Sequence, residues 1–413
     1  MRTAVFVAPY ALESTLRFLR ATIALEGVRV GVISTESEAT VAARLSAEDR
    51  GRIEAFERVE DANDATELGH AVERIARRLG GRVDALLGIL EPLQEALARV
   101  RERFGIRGMD AGEARAFRDK AHMKEVLRAN GLPCARHALA TSPAQALAFA
   151  EQLLPLVAKP PAGAGAKDTF RVDHRDQLAA WVQALPPTPA KPLLLEEFVQ
   201  GREFSFDSVS LAGQHVFHSI STYAPTPLEV MEAPWIQWTV LLPRSIDGDE
   251  FAAIKDAGPR ALSALGMVSG MTHMEWFRRD DGSIAISEVA ARPPGAQFTS
   301  LMSYAHDHDF YRAWAEIGVF ERFDPPERRF ATGAAYLRGQ GIGHVTSVAG
   351  VEAVQRELGD LIVEAQLPRQ GQPKASSYEG EGYVILRHPD TNVVREGLER
   401  VVALLRVHLG RVG

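Results

Sequence analysis

Hydrophobic residues in the first hundred positions follow two alternating patterns, short apolar runs and amphipathic stretches. Ala4–Ala8 is an apolar run, Glu13–Glu26 has helical spacing up to Gly27, and Val28–Ile33 is apolar again. The alternation continues with a helix, a strand and a helix at Ala65–Leu79, Val83–Leu90 and Pro92–Phe104. Strands that alternate with helices predict a doubly wound α/β domain, which we place at residues 1–105.

A domain of this kind raises the hypothesis of a nicotinamide-dependent dehydrogenase. The first strand runs into Ala8-Pro9-Tyr10-Ala11, however, and not into the G-x-G-x-x-G turn that binds a dinucleotide. The hypothesis therefore rests on the strand and helix pattern alone.

The middle of the chain combines lysines with a loop of small residues. The helical stretch Ala111–Ala129 carries Lys120, and the apolar strand Pro155–Pro160 carries Lys159 near its end. The segment Gly163–Lys167 then contains only Gly, Ala and Lys, without the spacing of a Walker loop. We interpret it as a mobile loop whose backbone N–H groups close over phosphates, the alternative being an ordinary flexible turn.

An apolar strand next enters a pair of carboxylates. Leu193–Leu195 leads into Glu196 and Glu197, and a short connector precedes an alternating strand that contains Glu203. Backbone groups where such a strand ends can pair with the edge of an adenine, and a nearby carboxylate can reach ribose hydroxyls. The alternative is an acidic connector between domains.

Two further glutamates occur in apolar segments separated by a turn signal. Glu275 precedes Asp281-Gly282 and Glu288 follows it, so the pattern predicts a β-hairpin with one glutamate on each strand. Two carboxylates on adjacent strands can converge on Mg²⁺, since a buried carboxylate without a cation is costly. Arg292 would add a planar positive fork for anionic oxygens. The alternative is a surface hairpin whose glutamates are solvated.

Towards the end of the chain, Pro325-Pro326 marks a boundary, and residues 330–413 predict a small C-terminal domain. Its expected elements are the strands Thr332–Leu337 and Gly380–Leu386 and the helix Val393–Leu409. Just before the boundary, His306-Asp307-His308-Asp309 has the residue types of a metal site. Adjacent residues of a helix point apart, so helix caps and surface charge are the favoured interpretation.

Composition narrows the class of protein. The chain has 413 residues, is 46% hydrophobic and 24% charged, and carries a net charge of −7 with no block of basic residues, which argues against nucleic acid as a partner. Cys134 is the single cysteine, so an internal disulfide is excluded. We expect a cytoplasmic protein, because no signal peptide and no membrane-spanning apolar run is evident.

Taken together, these motifs resemble the ATP-grasp superfamily over essentially the whole chain. The resemblance implies an ATP-grasp fold of mixed α/β and α+β class, with an ATP-grasp domain at 106–329 whose residues 135–200 form a lid. It assigns seven residues to ATP: Lys120, Lys159, Lys167, Glu196, Glu197, Val199 and Glu203. It implies that Glu275 and Glu288 hold Mg²⁺, or Mn²⁺ in its place, and that Arg292 lies beside the transferred phosphate.

One departure narrows the subfamily. Many superfamily members have Glu-x-Asn at the second metal position, whereas this chain has Glu288-Val289-Ala290. The Glu-x-Ala-Ala-Arg sequence looks most like carboxylate–amine ligases, among them bacterial L-amino-acid ligases that make dipeptides. The resemblance thus implies an amide-forming ligase that proceeds through an acylphosphate and releases ADP and phosphate. The missing asparagine leaves the number of Mg²⁺ ions open.

The resemblance says less about substrates. Glu232 could hold an ammonium group, and Arg292 with Gly295 could hold carboxylate or phosphate oxygens. The expected partners are a small carboxylic acid and an amine, and a homodimer is left open. Three alternatives stay open at this point: a purine-pathway or biotin-carboxylase-like ligase that uses bicarbonate or formate, a nucleotide-binding module without catalysis, and the dehydrogenase.

Overall fold

The structure, a computed structural model, describes residues 1–163, 168–232, 237–377 and 379–411. Its first part is a four-stranded parallel sheet, in the order β3-β2-β1-β4. The elements are β1 (Arg2–Val7), α1 (Glu13–Ile23), β2 (Val28–Ser34), α2 (Glu38–Ala42), α3 (Ala47–Gly51), β3 (Ile53–Arg58), α4 (Ala65–Arg78), β4 (Ala85–Leu87), a 3-10 turn (Glu91–Leu93) and α5 (Gln94–Phe104).

Strand β1, which lies between β2 and β4, explains why the buried strands of this sheet appear in the sequence as apolar runs. Ala4 and Phe6 of β1 face one hydrophobic cluster, and Val5 and Val7 face another. A parallel strand covered on both faces must be apolar at every position, so it gives a continuous run. The sequence analysis missed β3, α2 and α3, because β3 is only half-buried and contains three charged residues.

The next part begins with two helices, α6 (Ala111–Arg118) and α7 (Lys120–Ala129), where one helix was predicted. That prediction was wrong at Asp119, which has an extended backbone (φ −88°, ψ 101°). The Asp119 carboxylate accepts hydrogen bonds from the backbone N–H groups of Ala121 and His122 and so caps α7.

A separate antiparallel sheet follows, in the order β5-β8-β6-β7. Its elements are β5 (His137–Ala140), α8 (Pro143–Ala150), β6 (Leu156–Lys159), β7 (Phe170–Val172), α9 (Arg175–Ala184) and β8 (Leu193–Glu197). Leu156, Leu178 and Leu195 are fully buried in a hydrophobic cluster of its own. These residues are those predicted to form a lid, and their movement as a unit stays a prediction.

The largest sheet has eight strands, in the order β13-β12-β9-β10-β11-β14-β17-β16, and β15 pairs with β18 beside it. The elements are β9 (Arg202–Leu211), β10 (Gln214–Ala224), α10 (Pro227–Glu232), β11 (Trp238–Leu242), a 3-10 turn (Asp249–Phe251), α11 (Ala252–Ala264), β12 (Gly270–Arg278), β13 (Ile284–Ala290), α12 (Phe298–His306), α13 (Phe310–Phe320), β14 (Ala331–Leu337), β15 (His344–Ala349), α14 (Val351–Leu358), a 3-10 turn (Gly359–Leu361), β16 (Ile362–Gln366), β17 (Gly382–His388), α15 (Thr391–Leu404) and β18 (Arg406–Gly410).

Two predictions for the C-terminal part concern this sheet. The predicted helix Val393–Leu409 ends earlier, since α15 stops at Leu404 and Arg406–Gly410 pairs with β15. Strands β14, β16 and β17 continue the sheet that β9–β13 begin. The boundary at residue 330 therefore falls between strands of one sheet, and the division into domains stays a prediction.

None of the helices in the described ranges is both long enough and apolar enough to span a membrane.

Candidate active site

The predicted hairpin forms from β12 and β13, and its two glutamates are direct cross-strand neighbours. Glu275 is paired with Glu288 in the antiparallel register. The register shifts immediately afterwards, where Trp276 pairs with Ile286 and leaves Ser287 as an extra residue on β13. A bulge of this kind re-aims nearby groups, and the Ser287 carbonyl accepts a hydrogen bond from Lys124 Nζ.

Two predicted lysines lie beside this pair of carboxylates. Lys120 Nζ is 3.2 Å from Glu288 Oε2, and Lys159 Nζ is 2.9 Å from Glu196 Oε2. Burial opposes the ionisation of Glu288, but the positive charges of Lys120 and Lys159 outweigh it and lower the pKa of Glu288 to about 2. Burial alone would lower the pKa of Lys159, whereas Glu196 and Glu288 raise it. The surroundings of Glu288 and Lys159 therefore favour the charged form of each side chain.

Lys124 is a buried cation that the sequence analysis did not select. Its side chain is fully buried, and Nζ lies 3.3 Å from Glu196 Oε1. Burial lowers the pKa of Lys124, against the attraction of Glu196. Lys124 follows Lys120 by four residues, so both side chains lie on one face of α7. That spacing, on the face that carries Met123 and Leu127, was a usable signal in the sequence.

The short connector after β8, predicted to lie beside an adenine, joins the two antiparallel sheets. Glu197 Oε1 lies 2.7 Å from Arg279 Nη1, so its side chain is already paired and a contact to a base falls to the backbone. The N–H of Glu197 donates to Arg136 O and that of Phe198 to Pro155 O. In the described part of the chain, the N–H of Val199 makes no hydrogen bond. Val199 therefore offers the backbone donor that an adenine edge requires.

Glu203 lies on β9, next to the hairpin, and is almost completely buried. Burial raises its pKa well above the usual range, and the negative charges of Glu275 and Glu288 raise it further. Three carboxylates thus crowd one region, and their mutual repulsion favours a cation among them.

Arg292 is held in place by a neighbour from the first sheet. Its Nε lies 2.7 Å from Glu91 Oε2, and its Nη1 donates to the Pro293 carbonyl at 3.0 Å. Arg118 also approaches Glu91, with Nη1 3.8 Å from Oε1. The guanidinium therefore has a fixed orientation before any substrate arrives. Glu91 could not be found from the sequence, because its contact with Arg292 joins residues 201 positions apart.

A single cleft of about 450 Å³ brings these residues together. Of the twelve residues predicted for the site, ten line it: Lys120, Lys159, Glu196, Glu197, Val199, Glu203, Glu275, Glu288, Arg292 and Gly295. Lys167 lies outside the described residues, as does the side chain of Glu232. The roles assigned to all twelve stay predictions.

The cleft is also lined by residues that the sequence analysis overlooked. Arg17 of α1 lines the cleft, with Nη1 donating to Ser300 Oγ at 2.9 Å and Nη2 lying 2.5 Å from Glu364 Oε1. Tyr223, Trp238 and Phe298 line the same cleft. Arg17 is missed because an arginine on an amphipathic helix gives no signal of its own.

His306 and its neighbours do not belong to this cleft. His306 is buried, its Nδ1 lies 2.7 Å from Met302 O, and its ring packs against Phe217 and Phe310. Asp307 pairs with Arg387, and Asp309 caps α13. The favoured interpretation of His306-Asp307-His308-Asp309 as caps and surface charge therefore agrees with the contacts.

The residues present fit a divalent cation. Within the described ranges, no group of three or more His, Cys, Asp or Glu side chains is arranged to hold a metal ion. Glu275 and Glu288 nevertheless offer two facing carboxylates, and Mg²⁺ is often bound by one or two carboxylates together with substrate phosphates. Burial, with the negative charges of Glu275 and Glu288, raises the pKa of Glu203, and a cation nearby would offset that negative charge.

Comparisons with known proteins were made of both sequence and structure. No family model matches the chain. An L-arginine-specific L-amino acid ligase of Bacillus subtilis is 25% identical over 268 residues, 63% of each chain. A D-alanine–D-alanine ligase of Stutzerimonas stutzeri is 27% identical over 179 residues, 42% of this chain and 55% of that protein. The chain therefore spans less than two thirds of the length of these curated relatives.

Among solved structures, the L-amino acid ligase from Bacillus licheniformis superimposes with a TM-score of 0.78 at 19% identity, over 100% of this chain and 99% of that one. Phosphoribosylglycinamide synthetase from Anaerococcus prevotii gives 0.69 at 15% identity, over 99% and 100%. The chain has the ATP-grasp fold, which confirms the fold class predicted from the motifs.

Proposed function

We propose that this protein is an ATP-dependent carboxylate–amine ligase that releases ADP and phosphate. The observation that carries the proposal is the convergence of Glu275, Glu288, Lys120, Lys159 and Arg292 in one cleft. The names of the relatives point the same way, since those with known activities are ligases. We further propose that the acid and the amine are amino-acid-like.

The reaction would need two steps. A carboxylate is a poor electrophile, so its oxygen first attacks the γ-phosphorus of ATP, giving an acylphosphate and ADP. The amine then attacks the acyl carbon, the bond to phosphate breaks, and the amine loses a proton to give the amide. Phosphoryl transfer depends mainly on positioning and on neutralisation of charge.

The predicted site residues would each have a role in this scheme. Lys159 and Lys120 would contact the phosphates, while Val199 binds the base through its backbone and Glu203 binds the ribose. Glu275 and Glu288 would hold Mg²⁺, which would offset the negative charge of the phosphates. Arg292, fixed by Glu91, would stabilise negative charge on the group that is transferred.

The remaining wall of the cleft would bind the two other substrates. We assign Arg17, Tyr223, Trp238 and Phe298 to the acid and the amine, because these residues line the same cleft and the other roles fall to other side chains. The cleft excludes part of the solvent, which protects an acylphosphate from hydrolysis.

The second candidate is a purine-pathway ligase that uses a small acid. It is favoured by the superposition on phosphoribosylglycinamide synthetase and on N5-carboxyaminoimidazole ribonucleotide synthetases, whose TM-scores are 0.68–0.70. The higher TM-score of the amino acid ligase favours the first candidate.

The test is a screen for ADP release across pairs of amino acids, with the product identified by mass. Pair-dependent ADP and phosphate with a product mass equal to the two substrates less water would support the proposal. Formation of AMP and pyrophosphate, or no turnover with any acid–amine pair, would refute it. ADP release stimulated by bicarbonate or formate would favour the second candidate.

A further inference from the structure

His273 lies on the same face of the large sheet as the paired glutamates. Side chains two apart on a strand point the same way, so His273 and Glu275 of β12 share a face. The register pairs His273 with Asp207 of β9 and Glu275 with Ser205. Ser205 is in turn paired with Ser221 of β10. A row of polar side chains therefore runs from the cleft into the sheet.

Hydrogen bonds fix the orientation of the His273 ring. Its Nδ1 lies 2.6 Å from Asp207 Oδ1, and because a carboxylate only accepts, Nδ1 carries the hydrogen. The other oxygen of Asp207 accepts from Ser205 Oγ at 2.7 Å, and Ser205 Oγ lies 2.6 Å from Ser221 Oγ. Asp207 and both serines are fully buried. The Nδ1 side of the ring is thus held by buried, hydrogen-bonded side chains.

The opposite nitrogen of the ring faces the cleft. His273 Nε2 lies 3.6 Å from Glu275 Oε1, and His273 lines the same cleft as Glu275 and Glu288. The ring edge also packs against Phe298, with centroids 5.4 Å apart. His273 is therefore positioned to restrict the rotation of the Glu275 carboxylate.

Ala290 makes room for this arrangement. It is the cross-strand partner of His273 on β13 and follows Glu288 by two residues. Directly opposed side chains are about 4.5–5.5 Å apart at Cβ. The methyl group of Ala290 therefore leaves the imidazole its place, whereas a larger polar side chain at position 290 would compete for it.

We infer that His273 is a positioning residue, which with Asp207 behind it orients the Glu275 carboxylate towards the divalent cation. The inference rests on the proposed function, in that it takes Glu275 as a metal ligand. Partners of metal ligands fix the ligand's orientation, and their loss typically weakens metal binding or activity by about 10–100-fold. In this chain the partner of Glu275 is His273, two residues earlier on β12, and Asp207 of β9 holds His273 in place. Residue 290 does not supply the partner.

The experiment measures Mn²⁺ binding in the presence of ADP, by electron paramagnetic resonance of the free ion. His273→Ala is expected to weaken Mn²⁺ binding by about 10–100-fold, and Asp207→Asn by a smaller factor in the same direction. Affinity for ADP without metal, measured by calorimetry, should stay within about twofold. His218→Gln is the matched control, because His218 lies on β10 of the same sheet and stacks on Phe206 away from the cleft.

Two further variants guard against a merely structural effect. His273→Ala with Asp207→Asn removes the unpaired buried charge, and this double variant should be no weaker in Mn²⁺ binding than His273→Ala alone, since the two residues act as a unit. Ala290→Asn should restore part of the lost Mn²⁺ affinity in the His273→Ala background, but not improve the wild type.

A folded His273→Ala or double variant that binds Mn²⁺ within twofold of the wild type would overturn the inference. So would a wild-type protein that binds no Mn²⁺ with ADP. Failure of the proposed function gives a different result: tight Mn²⁺–ADP binding that depends on His273, with no turnover of any acid–amine pair.

Discussion

Two groups of residues line the cleft. The residues proposed to contact phosphate or Mg²⁺ come from one hairpin, one helix and one strand, whereas those proposed to contact the other substrates come from four separated parts of the chain. We call the first the phosphate end (Lys120, Lys159, Glu275, Glu288) and the second the substrate end (Arg17, Tyr223, Trp238, Phe298). In the phosphate end, register fixes the pairing of Glu275 with Glu288. In the substrate end, Arg17 reaches Glu364 across 347 residues. The two glutamates are thus placed by the register of one hairpin, whereas Arg17 is placed by contacts with residues far along the chain.

The largest effect should come from the phosphate end. Glu288→Gln removes a charge that Lys120 and Lys159 stabilise, so turnover should fall by about 100–1000-fold, as when one preorganised electrostatic contact is lost. Binding of ATP should persist, which steady-state ADP release and calorimetry would show together.

Glu125→Gln is the control for that variant, because Glu125 is exposed on α7. If Glu288→Gln kept more than a tenth of wild-type turnover, the phosphate end would not be the catalytic region.

The next effect concerns stability beneath the phosphate end. Lys124→Met leaves Glu196 with Lys159 as its remaining cation, and the free energy of unfolding should fall by about 3 kcal/mol, at the low end of the range for removing one partner of a buried pair. Urea denaturation followed by circular dichroism measures this change.

Adding Glu196→Gln to Lys124→Met should not recover the loss, since buried Lys159 then loses its partner as well. Lys255→Met, at a half-buried lysine on α11, should cost far less. Equal losses at both lysines would mean that Lys124 supports the fold no more than a surface lysine does.

A smaller effect tests the support of the substrate end, which rests on α12. Burial lowers the pKa of His306, at the end of that helix, to about 4 from the usual 6.5. The unfolded chain therefore binds a proton first, and the free energy of unfolding should fall as pH drops from 6.5 towards 4. His306→Gln should reduce this fall by about 2 kcal/mol between pH 6.5 and 5.

Denaturation midpoints at a series of pH values provide the measurement. His70→Gln, at an exposed histidine on α4, should leave the slope unchanged. A slope that is identical in the wild type and in His306→Gln would show that folding does not lower the pKa of His306.

The smallest expected effect is on specificity. Arg17→Lys keeps the charge but loses the planar fork that contacts Ser300 and Glu364. The KM for the acid or the amine should rise about 10-fold, equivalent to about 1.4 kcal/mol, while the KM for ATP stays within about twofold.

Arg20→Lys, on the same helix and paired with exposed Glu13, is the matched control. An equal change in both KM values for Arg17→Lys would break the division of the cleft into two ends.

Much of the fold and most of the site could be predicted because the signals were local. Apolar runs marked the buried strands, and a turn at Asp281-Gly282 between apolar segments predicted the hairpin that places Glu275 against Glu288. Errors arose where a single residue ended an element, as Asp119 does between α6 and α7. A capping side chain offers the backbone a few hydrogen bonds in place of those that would continue the helix. The spacing of apolar residues does not indicate which of the two sets forms.

By itself, the sequence determined the strand and helix alternation, the hairpin and the two lysines, since each depends on residues close together in the chain. Only the tertiary structure decided that Glu91 orients Arg292, that Lys124 and Lys159 share Glu196, and that Asp207 holds His273 against Glu275. These contacts join strands and helices far apart in sequence. A charged residue is buried only if the whole fold brings it a partner, and a linear pattern cannot show which partner that is.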